Sequence, residues 1–135
     1  MFLLFWCFPA LLNTGLQVEF SNIVDRKGSL YIAVYDRSDA FLRTDQARVT
    51  KIIPLTQTGT LKISLDNLPA GQYALSCFHD VNGNGELDTN MFGVPTEPYG
   101  FSNNARPKLR APNWAETNFK HEGGAALLKI RLEKW

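Results

Sequence analysis

Gln72-Tyr73-Ala74-Leu75-Ser76-Cys77-Phe78-His79-Asp80-Val81-Asn82-Gly83-Asn84-Gly85-Glu86-Leu87-Asp88 is the stretch on which the fold turns. Its second half places side-chain oxygens at alternate positions, Asp80, Asn82 and Asn84. Gly85 follows for a sharp bend, then Glu86, which offers its backbone carbonyl, then Asp88. That is the oxygen spacing of a calcium loop. In the helical version of the loop the last ligand is a bidentate Glu, and Met91 stands there instead. A further carboxylate is needed, from Glu97, Asp36 or Asp39, and calcium affinity is expected only on the order of 10⁻⁴ to 10⁻³ M. The competing reading makes Asn82-Gly83 and Asn84-Gly85 plain turn dipeptides. It accounts for the amides but not for Asp80 and Asp88 in register, so the stretch is read as a calcium site formed by Asp80, Asn82, Asn84, Glu86 and Asp88. The first half decides the context: it is short, aromatic and bounded by Pro69 and Gly71, so it predicts a strand rather than a helix.

Working outward, the same period of two recurs. Leu16, Val18 and Phe20 alternate with Gln17, Glu19 and Ser21, and Leu30, Ile32 and Val34 with Tyr31, Ala33 and Tyr35. With the Asp25–Gly28 turn between them, these two strands suggest a hairpin. Ser38 to Gln46 reads as a loop with one helical turn. Val49 to Leu55 and Leu61 to Leu65 are further strands, and Leu128, Ile130 and Leu132 alternate in a closing one. Asp80 to Gly124 shows no period, yet Met91, Phe92, Tyr99, Phe101, Trp114 and Phe119 make it too apolar for a disordered linker. It predicts a long ordered loop folded over one end of the sheet, with room for a seventh strand besides the six. The whole predicts an all-β antiparallel sandwich of immunoglobulin-like or transthyretin-like size.

A chain of 135 residues fits one domain, and a net charge of +1 with 20 % charged residues gives no field for nucleic acid. Met1 to Leu12, MFLLFWCFPALL, is apolar, too short to cross a bilayer and broken by Pro9. It reads as the core of a secretory signal, residues 1–15, ahead of a domain at 16–135. The expected location is periplasmic or secreted, with no membrane span in the mature chain. Cys7 and Cys77 are the two cysteines, so removal of the leader leaves Cys77 alone, a small buried hydrophobe on the inward face of its strand.

Asn67-Leu68-Pro69-Ala70-Gly71-Gln72-Tyr73, the loop from Phe78 to Asn90, Gly93-Val94-Pro95 and Pro98-Tyr99-Gly100-Phe101-Ser102-Asn103-Asn104-Ala105-Arg106 together resemble DUF2141, a bacterial family of exported domains of unknown function. The resemblance implies an exported sandwich related to prealbumin-like modules and no established activity. The loop also looks like the calcium loops of some surface-protein B repeats. Some transthyretin-like sandwiches hydrolyse hydroxyisourate, but the closing Tyr-Arg-Gly-Ser of that enzyme is absent. Zinc is rejected because Cys77, His79 and His121 lack ligand spacing. Tyr99, Phe101, Asn103, Asn104, Arg106 and Trp114 could stack on and hydrogen-bond a ligand, against the alternative that the loop packs on itself. The expected function is a non-enzymatic module binding an envelope or extracellular ligand. The alternative is a hydrolase or isomerase working through His79, Asp80 and Arg106.

Overall fold

The computed structural model describes residues 15–135, so Cys7 and the leader stretch lie outside the described residues. The strands are β1 (Leu16–Ile23), β2 (Ser29–Tyr35), β3 (Val49–Pro54), β4 (Gly59–Leu65), β5 (Gly71–Asp80), β6 (Tyr99–Phe101), β7 (Phe119–His121) and β8 (Ala126–Arg131). They form a three-stranded sheet in the order β4-β1-β8 and a five-stranded sheet in the order β3-β2-β5-β6, with β7 also on β5. Leu16, Val18, Phe20 and Ile130 of the first sheet share one apolar core with Leu30, Ile32, Val34, Leu75 and Cys77 of the second. The protein is an all-β sandwich. Full burial of side chains such as Phe20 and Leu30 stabilises it by roughly 1.5–3 kcal/mol each.

Strand periodicity fixes which face is buried but not which strand lies alongside. The expected β1–β2 hairpin is not formed: β1 pairs with β4 and β8, while β2 pairs with β3 and β5. The register of β1 shifts between Phe20 and Ile23, and Asn22 takes a φ of 64°, so the strand leaves its sheet and the chain crosses to the other layer. At the crossing Gly28 has φ 68°, and a Cβ there would lie 1.8 Å from the Asp80 carbonyl. Only glycine fits this contact. The sandwich is also not wholly antiparallel, since β1 and β8 run parallel from Leu16↔Ala126 to Ser21↔Arg131.

The long segment after Asp80 does not cap one end of the sheet. It follows the edge of β5, where β6 pairs along Ser76–Phe78 and β7 along Gly71–Tyr73. Between them lies a short helix, α1 (Trp114–Thr117), opened by a capping box in which Asn113 and Glu116 satisfy each other's backbone N–H. Ser38–Ala40 and Thr44–Gln46 form two short 3₁₀ turns where one turn was expected.

Candidate functional site

β5 carries Asp80, 1 % exposed, to the edge of the outer face. Its carboxylate accepts the N–H of Asn84 at 3.2 Å and of Gly85 at 2.8 Å, which curls the chain around it. Asn82 and Asn84 accept the N–H two residues on, at 3.2 and 3.1 Å. Their amide nitrogens then donate to Asp88, Asn84 at 2.5 Å and Asn82 to the other oxygen. Glu86 joins this network through its N–H, and the residue is exposed. Glu97, 6 % exposed, bridges the loop's two ends by accepting Val81 N–H at 2.7 Å and Asp88 N–H at 2.9 Å.

Of the three acids expected to complete the loop, Glu97 is the one placed to do so. Asp36 and Asp39 follow the far end of β2 and pair with Arg48 and Arg37. The donors suit calcium in kind, being hard oxygens, and each carboxylate oxygen keeps a second lone pair. In arrangement they are sparse: among the described residues no three His, Cys, Asp or Glu side chains are grouped to hold a metal ion. Amide N–H groups of Asn82 and Asn84 already give Asp88 the positive partner that a cation would supply. The loop closes on itself.

A row of apolar side chains in direct register crosses the outer face: Ile52 on β3, Tyr31 on β2, Phe78 on β5 and Tyr99 on β6. Tyr31 and Phe78 stack at 4.9 Å. At the end of the row the Arg106 guanidinium lies 4.1 Å from the centre of the Tyr99 ring. It donates to the carbonyls of Tyr99 and Glu133 at 2.8 Å each, and so ties the long segment to the residues after β8.

Beside Arg106 a cavity of about 310 Å³ opens between the turn at 90–93, residues 106–112 and Trp135. Leu87, Val94, Tyr99 and Phe101 form its apolar walls, Arg106 and Arg110 its charged ones, and the exposed Phe92, Leu109 and Trp135 its rim. Arg110 is anchored on Glu116 at 2.5 Å, and this bond holds the Glu116 carboxyl below the usual carboxylate range.

Of the six residues expected to face a ligand, Tyr99, Phe101 and Arg106 line this cavity and Asn103, Asn104 and Trp114 do not. Asn103 donates to the carbonyls of Glu116 and Asn118, Asn104 accepts from Arg131 N–H, and Trp114 packs edge-on against Phe41. All three hold the segment to its surroundings. The apolar rim of Phe92, Leu109 and Trp135 was missed. Its signal is Met91-Phe92-Gly93, large apolar side chains where a turn ordinarily carries polar ones.

His79 and Cys77 occupy the inward face of β5. The fully buried His79 donates from Nε2 to the Lys27 carbonyl at 2.6 Å, fastening the β1–β2 crossing. Burial pushes the Cys77 thiol up, and its Sγ donates weakly to the Gly100 carbonyl at 3.4 Å. Asp80, on the opposite face, is spent on loop N–H groups and Arg106 on carbonyls. No curated protein and no solved structure matches the chain. A family model described as an uncharacterized protein conserved in bacteria, DUF2141, matches residues 18–128, most of the sandwich and both of its loop motifs, and the chain belongs to that family.

Proposed function

We propose that the chain is an exported, non-enzymatic binding module that takes an envelope or extracellular ligand in the cavity beside Arg106. Calcium is its weak stabiliser, taken by the Asp80–Asp88 loop in exchange for the amide donors on Asp88, a reading supported by the hard oxygens of Asp80, Asp88 and Glu97 with their remaining lone pairs. The cavity carries this reading: about 310 Å³ of mostly apolar space, walled by a segment pinned in place from both sides. Export is supported by the apolar Met1–Leu12 stretch. A reaction through His79, Asp80 and Arg106 has less support, because the first two point to opposite faces of β5 and each of the three already serves a backbone group.

The test is titration with anilinonaphthalene sulfonate, whose apolar rings and anionic group match the walls. The parent should bind one equivalent with enhanced emission. Val94→Trp, which fills the cavity from its wall, should abolish that while melting near the parent's temperature. Equal emission from parent and variant would dismiss the cavity as the binding site.

A further inference from the structure

The rim of the cavity is built unlike its walls. Residues 89–95 make a tight turn: Asn90 N–H donates to the Val94 carbonyl at 2.8 Å, Gly93 N–H to the Asn90 carbonyl at 3.0 Å, and Asn90 Oδ1 accepts Phe92 N–H at 2.9 Å. A turn bonded this closely fixes what its corner displays, and it displays Met91, 90 % exposed, and Phe92, 81 % exposed. Across the cavity Leu109 is 86 % exposed, on a backbone of φ 66° that a leucine adopts only under strain. Trp135, 55 % exposed, completes the set. Four large apolar side chains at the cavity's rim are held outward, an exposed set of the kind that marks a docking surface.

The charges next to the tips of Leu109 and Trp135 are positive. Lys108 precedes Leu109 and Lys134 precedes Trp135, and neither joins an ion pair among the described residues. Nearby Glu133 is held by Arg131 and Arg106, and Glu116 by Arg110. Glu86 and Asp88, on either side of the lining residue Leu87, are the acids on this side without such a partner among the described residues, Asp88 taking the amide N–H groups of Asn82 and Asn84 instead. Apolar tips flanked by cations match a bilayer interface bearing anionic headgroups.

We infer that this rim docks on an anionic phospholipid surface, with Met91, Phe92, Leu109 and Trp135 entering the interface and Lys108 and Lys134 lying among the headgroups. This rests on reading the cavity end as the binding end, and it names the occupant of the rim. The experiment is flotation of the full chain with vesicles of phosphatidylglycerol and phosphatidylcholine, and with phosphatidylcholine alone. Because the Met1–Leu12 stretch is itself able to hold a vesicle, the readout is the difference between parent and variants.

Phe92→Ser/Leu109→Ser should weaken binding to the anionic vesicles at least about tenfold. Lys108→Gln/Lys134→Gln should weaken it about fivefold per charge, and the parent's advantage over these variants should vanish in about 0.5 M salt. If Phe92→Ser/Leu109→Ser melts with the parent yet floats equally well, the docking rim is refuted. So it is if the parent's advantage over the variants is the same on phosphatidylcholine alone. Should vesicle binding fail while anilinonaphthalene sulfonate still saturates the parent and not Val94→Trp, the rim is overturned and the cavity reading stands. If that dye binds parent and Val94→Trp alike, the cavity reading falls instead.

Discussion

Gly28 sits where two requirements coincide, a left-handed backbone and van der Waals contact with the Asp80 carbonyl. Gly28→Ala should therefore cost about 2 kcal/mol or more, seen as a lower urea midpoint at unchanged slope. Cys77 offers a pH test. Burial raises its thiol pKa above the ordinary value near 9, so the neutral thiol's contribution is complete below about pH 9 and is lost as pH rises toward the folded value. Parent stability should fall from about pH 9 upward, and less steeply in Cys77→Ala, which should itself cost about 1 kcal/mol at neutral pH. Buried Tyr35 shifts in the same direction, so some alkaline slope should remain. The native thiol should resist bulky reagents. The inward place of Cys77 was legible because Tyr73, Leu75 and Cys77 alternate along one strand. That of Glu97 was legible only as one of three options, since the fold that brings it to Val81 and Asp88 is not a local property.

The loop from Asp80 to Asp88 is an element with two ways of being closed, by its own N–H groups or by a cation that replaces some of them. Asp80→Ala removes the acceptor of two backbone N–H groups and should cost about 1–3 kcal/mol whether or not metal is present. The calcium proposal is tested separately. Thermal unfolding in millimolar calcium should exceed that in chelator, by up to about 2.7 kcal/mol at 100 times the dissociation constant. Magnesium should do little, because it demands a tighter octahedron. Equal midpoints for the parent in calcium and chelator would leave the loop a self-closed turn. β6 and β7 could not be read from the chain, because three residues show no period; both are strands because β5 offers them an edge. No helix was read at α1; Asn113 and Glu116, at capping-box spacing, are the local signal that was passed over.

Seen whole, the inward faces of β1, β2, β5 and β8 were legible, that of β3 was not, and the neighbours of none were. Pairing partners follow from where the chain crosses between layers, and that depends on Asn22, Gly28 and His79 acting over distances no period records. The export proposal belongs to this scale: protein recovered from the exported fraction should lack residues 1–12 by mass spectrometry, and an intact Met1 would contradict it. The parallel β1–β8 pairing carries a further consequence, for time rather than for shape. Asn22 bonds Leu132, 110 positions along the chain, and Leu132 N–H returns to Ser21. Until residues 126–132 have been synthesised, β1 has β4 alone beside it and the three-stranded sheet lacks an edge. Closing so long a loop slows folding, which must wait for the β8 segment before the sheet is complete. A chain that folds this slowly would stay threadable for longer, which suits the export proposed above.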